Sequence, residues 1–515
     1  MRANLLGSAR RSASIVAVVA LAAGIPSGAA SAAPAGRPAA ARPTPGAPGV
    51  GDRLFPTLGN GGYDVRSYDV HLTYPRKDPR QTIVGDVTLR AVATQALSRF
   101  DLDFAGPSVG SVSVDGRAAS FTRSGDELVI TPRRAIAKRH RFTVVVHRFT
   151  ARPQAPDADA APAGFFFSEA GTVVAAQPDA AHQVLPVNDH PRDKATYRFV
   201  LDVPAGWTAA TNGVLVAKRA KAGRVVWTFR EPDPLASELL QLAVGDFVVV
   251  RRPSVRGVPI RDVVPRADAR RLAPLLDVER SQLAWMTRQV GRFPNVAYGS
   301  LVFDAAIGYS LETQTLSLFD APVFAADSTV GYRNGTMLHE LAHEWFGDSV
   351  SPYAWSDIWL NEGHATWYEA QYDAPRGYLE DDLGYADLES YFKAVYRKGD
   401  QVRDQYGPVA RPRSGSIDDL FNPNVYDGGA LALYALRQKI GSRAFAAVER
   451  AWVTRYRGRS ASTDDFIALA SRVSRRDLRT FLIAWLYGTR TPPMPGHPDW
   501  TVAPVPAKAA AGTAS

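Results

Sequence analysis

Near residue 252 the spacing of apolar residues in this chain changes, and that change limits the fold more than any other feature. Upstream, from Tyr63, short runs alternate apolar with polar residues: YDVRSYDVHLTY, TIVGDVTLRAVAT, SRFDLDF, ELVITP and RFTVVVH, then TYRFVLDV, RVVWTFR and LLQLAVGDFVVV. Alternation of this kind puts every second side chain on one face of a sheet, and turn residues part the runs with no helical stretch between them. The pattern predicts an antiparallel β-sandwich or saddle over residues 53–251. Downstream, ADARRLAPLLDVERSQLAWMTRQVG repeats its apolar residues at three- and four-residue intervals and predicts one long amphipathic helix. MLHELAHEWF, NEGHATWYEAQY, ALALYALRQKI, RAFAAVERAWVTRY and TDDFIALASRVS continue a mainly helical second domain over 252–500. The fold class is therefore multidomain α+β, with the β domain first.

The ends of the chain read differently. Arg2, Arg10 and Arg11 precede an apolar run from Ala13 to Ile25, and Ala30-Ser31-Ala32 offers small residues for cleavage, so residues 1–32 are predicted to be a signal peptide. The apolar run is shorter than the roughly 20 residues a membrane-spanning helix needs, and no other stretch qualifies. Residues 33–52, rich in Pro, Ala and Gly, predict an extended linker, and residues 501–515 a disordered tail. None of the 515 residues is cysteine, which excludes disulfides, a catalytic thiol and a Cys-ligated zinc site. An exported protein without disulfides fits secretion from a bacterium. The net charge of +9 is scattered, with no run of five or six like charges, which points to a solvated basic surface and no nucleic-acid partner.

One segment carries chemistry by its spacing. His339-Glu340-Leu341-Ala342-His343 lies in a helical run, and residues four apart share a helix face, so both imidazoles reach one ion. Glu340 sits one position round, placed to touch a water on that ion without binding the ion itself. Glu362 follows His343 by nineteen residues, near the start of the next helix. Two histidines and one carboxylate leave a zinc ion one open position for water, the arrangement of a catalytic site. One zinc per chain is the prediction, although nitrogen and oxygen donors also admit cobalt or manganese.

HELAHEWFGDSV followed by WLNEGHATW closely resembles the gluzincin aminopeptidases of the aminopeptidase N and leukotriene hydrolase type, and the likeness runs over roughly residues 55–490. It includes LPVNDHPRDKATY and NVYDGGALALYALR. The resemblance implies a thermolysin-like catalytic domain and peptide substrates with a free N-terminus. It also implies a catalytic tyrosine at Tyr426, some sixty residues after Glu362, in a Tyr-Asp-Gly-Gly-Ala context where the family commonly has lysine at the third position. Gly308-Tyr309-Ser310-Leu311-Glu312 stands where the family carries its exopeptidase signature, so Glu312 is implied to grip the substrate's α-ammonium. Gln177-Pro178-Asp179 matches the family's site in the first domain, with Gln177 beside the substrate and Asp179 either sharing the amine or serving as a plain turn residue. The helical C-terminal domain common in the family is not expected, since the chain ends soon after FLIAWLYGTRTPPMPG.

These roles imply a secreted zinc aminopeptidase in which Glu340 moves protons and Tyr426 stabilises the oxyanion. An endopeptidase of thermolysin character and a non-catalytic peptide-binding protein are the alternatives. Other signals are weaker. His364 reads as packing, Asp357 as an orienting or a helix-capping residue, and Asn334-Gly335-Thr336 as the start of the His-Glu helix. Oligomeric state leaves no mark in the sequence.

Overall fold

The computed structural model describes residues 42–153 and 163–505. The predicted signal peptide, the first part of the predicted linker and most of the predicted tail lie outside them. Among the described residues no helix is long and apolar enough to cross a membrane.

Eleven strands form one long sheet, one half of which runs Arg141–Ala151, Ile83–Ala93, Tyr63–Thr73, Ala195–Pro204 and Arg224–Leu235. The alternating runs account for it. In Tyr63–Thr73 the residues Val65, Val70 and Leu72 are buried while Arg66 and His71 are exposed. Val70 lies opposite Val87, and Val87 opposite Val146, so one face of three strands stacks into a core. Most pairings are antiparallel, as the alternation implies. Tyr63–Thr73 and Ala195–Pro204 are parallel neighbours, a pairing that the long excursion between them makes possible.

The start of the described chain departs from the linker reading. Thr44–Pro45 pairs in parallel with Leu97–Asp103, and Asp52 is buried with its carboxylate engaged. Pro and Gly suit an extended edge segment as well as a free linker, and composition does not separate the two.

Phe247–Val255 pairs with Val258–Pro265, so the strand crosses the expected boundary at 251/252 and opens the sheet of the second half. That sheet continues in parallel through Ser300–Val302 and Ser317–Phe319. The single helix expected between them is two, Ala269–Leu276 and Val278–Val290. Pro274 sits inside the first of them, which continues past it to Leu276, and Asp277 at the junction keeps helical dihedrals.

Beyond the sheet the chain is helical, including Leu388–Tyr406 and Arg479–Tyr487, which the period reading passed over. Trp345, Trp359, Trp367, Trp452 and Trp485 are fully buried and fill the core of this half. The asparagine of the Asn334-Gly335-Thr336 sequence sits inside the helix Val330–His343, buried, and Thr329 caps that helix by accepting from the Tyr332 N–H at 3.0 Å. The capping role expected at 334–336 is thus filled one turn earlier.

Candidate active site

Three helices and one strand edge meet around a cavity of about 550 Å³. Val330–His343 brings His339 and His343 to one face, with ring centroids 4.8 Å apart, while Leu338, Leu341 and Ala342 bury the opposite side. Trp359–Asp373 carries Glu362 in its first turn. The lead-in to that helix is pinned by the Trp355 N–H donating to Asp52 at 2.8 Å and by Asp357, which accepts from the Thr463 N–H at 2.9 Å. Asp357 therefore caps and ties turns together, and it is bonded to neither histidine. His364 is packed as expected, stacked on Phe346 and donating from Nδ1 to the Leu360 carbonyl.

Pro423–Ile440 carries Tyr426 in its first turn, capped by Asn422. This helix reaches the Glu362 helix because glycine faces glycine. A Cβ on Gly363 would stand 2.9 Å from the Gly429 backbone, and one on Gly429 equally close to Gly363. The glycines beside Glu362 and after Tyr426 thus bring the two functional side chains to one cavity, with the Tyr426 ring centroid 6.0 Å from that of His339.

Glu362 Oε2 lies 3.4 Å from His339 Nε2 and 3.3 Å from His343 Nε2. Donors about 2.05 Å from a tetrahedral zinc stand about 3.3 Å apart, so these spacings suit the ion. The outer ring nitrogens are occupied. His339 Nδ1 donates to Glu369 at 2.8 Å and His343 Nδ1 to the Phe346 carbonyl at 3.0 Å, which leaves both Nε2 lone pairs facing Glu362. Burial opposes charge on His343, yet Glu312 and Glu362 outweigh it and raise its pKa to about 9. Burial would raise Glu362, but the two histidines pull it down to about 2. The field favours positive charge where the three donors converge.

Glu340 faces the same cavity, and burial lifts its carboxyl to about 8 against the pull of both histidines. Glu312 is placed by the pairing of Leu311 with Leu318, which turns Leu311 into the core and its neighbour toward the cavity. Its Oε1 accepts from Gln177 Nε2 at 2.8 Å, so the β half contributes directly. Donor atoms of Glu312, Glu340 and His343 lie within 4.8 Å of one another.

Asp179 follows the turn reading. The chain makes a turn after Gln177, with the Ala180 N–H donating to the Ala176 carbonyl, and Asp179 is not among the cavity's lining residues. Its pKa is raised by burial and by Asp189, beside the His182–Asp189 pair. Glu369 was not found by sequence reasoning. Its signal was present, because it follows Glu362 by seven residues, two helical turns on the same face.

Residues 306–485 match the Peptidase family M1 domain. The chain carries an M1 peptidase domain, similar to those of the aminopeptidase N type. An aminopeptidase N of Streptomyces lividans is 27% identical over 322 residues, which is 59% of this chain and 36% of that protein. A leucyl aminopeptidase of Saccharolobus solfataricus is 22% identical over 64% of the chain and 42% of its own length. The chain thus spans well under half of these curated M1 relatives. The M1 zinc metallopeptidase of Deinococcus radiodurans superposes with a TM-score of 0.73 at 28% identity, covering 87% of this chain and 99% of that one. The M1 likeness extends to the β-first, helical-second architecture, and His339, His343 and Glu362 are the residues that would hold its zinc.

Proposed function

We propose that this M1 protein is a zinc aminopeptidase that removes single residues from the free N-terminus of peptides. One observation carries the reading: the Gln177–Glu312 pair stands directly beside the zinc donors. An α-ammonium nitrogen lies about 2.5 Å from its own carbonyl carbon, and each further residue adds about 3.5 Å. An ammonium held at Glu312 therefore puts the first peptide bond over the metal position and carries the second one past it. A variant of the Deinococcus radiodurans enzyme is known bound to a Tyr-Ser-Ala substrate, and small peptides of that kind are what this cavity suits.

The bound zinc ion would supply Lewis acidity, polarising the scissile carbonyl and acidifying a water. The chain's own groups do the rest. Glu312, with its second partner Gln177, holds the ammonium by a charge-assisted bond and fixes the substrate's register. Glu340 takes a proton from the attacking water and returns it to the leaving amine. Burial, followed by the charges of Glu362, Glu312 and Glu340, keeps the Tyr426 phenol protonated, so its hydroxyl donates to the carbonyl oxygen as that atom gains charge.

The reading includes export, supported by the charged start, apolar run and small residues of 1–32. The catalytic proposal is tested with one peptide carrying a free amine and its N-acetylated twin, each with and without a chelator. Chelator-sensitive cleavage of the free-amine peptide alone is expected. Equal cleavage of both removes the ammonium clamp and leaves an endopeptidase; cleavage of neither by the zinc-loaded protein leaves a binding module.

A further inference from the structure

A second cavity, of about 600 Å³, opens where the N-terminal segment, the loop after the helix Leu388–Tyr406 and the end of the helix Arg479–Tyr487 come together. Its volume falls in the range of about 300–1,000 Å³ that small-ligand sites occupy. Arg53, Arg403, Arg411, Arg413 and Arg490 line it, and Asp404 is the one carboxylate among the lining residues. Five guanidinium groups from three chain segments around one space repel one another. Arg53 registers this: burial and then Arg411 lower its pKa.

Most of these guanidinia already have partners. Arg403 is 4% exposed and donates to the carbonyls of Trp485 and Gly488, each at 2.8 Å, while its Nε has no partner. Arg53 donates to the Pro412 carbonyl at 2.6 Å, and Arg413 donates to the Asp404 carbonyl. Arg490 pairs with Asp400 at 3.2 Å. The Arg411 side chain alone has no hydrogen bond or ion pair among the described residues. Arg403 is buried and fixed, while Arg53, Arg411, Arg413 and Arg490 are exposed around it, so a ligand here meets one anchored guanidinium and four that can turn toward it.

We propose that this basin is a binding site for an oligophosphate, meaning two or more linked phosphate groups of a free polyphosphate or a phosphodiester polymer. The donors surround the space, and a tetrahedral phosphate accepts from several directions, whereas a carboxylate accepts mostly in its own plane. The volume exceeds what one phosphate fills, and Tyr487 and Pro412 form part of its wall. Ligand binding here is independent of the peptidase reading.

Titration calorimetry on the zinc-loaded protein at fixed ionic strength separates the two sources. One arm uses inorganic tripolyphosphate and the other a glycerol-phosphodiester oligomer. Saturable binding in at least one arm is expected, weakened about tenfold by Arg411→Ser with Arg413→Ser. A charge-matched control, Arg133→Ser with Arg134→Ser on an exposed stretch of the β half, should leave the affinity unchanged. Arg411→Ser alone keeps the test open if the double variant fails to fold, since that side chain holds nothing. No saturable binding in either arm, binding indifferent to the basin variants, or equal weakening by the control overturns the proposal.

Discussion

The zinc donors and the proposed ammonium clamp stand side by side, yet they are built in opposite ways. His339, His343 and Glu362 come from two helices close in sequence, and helical repeat alone predicts that the first two share a face. Gln177 and Glu312 lie 135 residues apart and meet because a loop of the β half reaches the edge of the second sheet. The comparison teaches that the metal site is a local device and the clamp a product of the whole fold. Damage to each should therefore read out differently.

The largest effect falls on proton transfer. Glu340→Gln keeps the side chain's size and leaves all three zinc donors in place, so metal content should be unchanged. Loss of a general base costs about 10²- to 10⁴-fold, and kcat should fall by that order. A drop in bound zinc along with activity would show that Glu340 supports the metal instead.

The clamp is predicted to fail without touching the metal. Glu312→Gln, and more weakly Gln177→Ala, should cut kcat/KM for free-amine peptides by about 10- to 100-fold, the order of one charge-assisted hydrogen bond. Zinc content should stay at one per chain. Asp179→Asn is the sharpening control and should leave kcat/KM within about twofold, because that carboxyl belongs to the His182–Asp189 neighbourhood. A larger effect at Asp179 than at Gln177 would reverse the assignment.

Glu369→Gln should do the converse. The variant loses the charge behind His339 Nδ1 and should weaken zinc binding about 10- to 100-fold, read by competition with a chelator, with KM at saturating zinc nearly unchanged.

This contrast also explains what the sequence made legible. The alternating runs and the three zinc donors were readable because each obeys a period or a short spacing. Glu369 was readable in principle, two turns after Glu362. Asp179 kept two readings because a motif match gives a residue's place in the chain and not the direction of its side chain after a turn. The junction at Asp277 left no mark in the sequence, because the apolar repeat runs through it and Asp277 itself keeps helical dihedrals. The docking of residues 42–52 was hidden, since Pro- and Gly-rich composition describes the backbone's stiffness and says nothing of what an isolated Asp52 will meet.

Asp52 tests whether the two kinds of construction are mechanically joined. Its carboxylate accepts from the Leu54 N–H at 2.7 Å, from the Trp355 N–H at 2.8 Å ahead of the Glu362 helix, and from His190 Nε2 at 3.2 Å in the β half. The His190 tautomer is fixed by the Arg192 N–H, which donates to Nδ1. Burial would raise the Asp52 pKa, but these donors, His190 foremost, bring it from 3.8 to about 2. A folded-state pKa below the unfolded one means the unfolded chain binds more protons between those values, so the contribution is complete above pH 3.8 and disappears as pH falls through about 2. The shift corresponds to about 2 kcal/mol. Asp52→Asn should therefore lower unfolding stability by about that amount at neutral pH, measured by denaturant titration, and the gap to the unaltered protein should narrow steadily from pH 4 toward pH 2. A gap that stays constant over that range would mean the side chain's shape matters and its charge does not, and the seam between the halves would then be a packing contact.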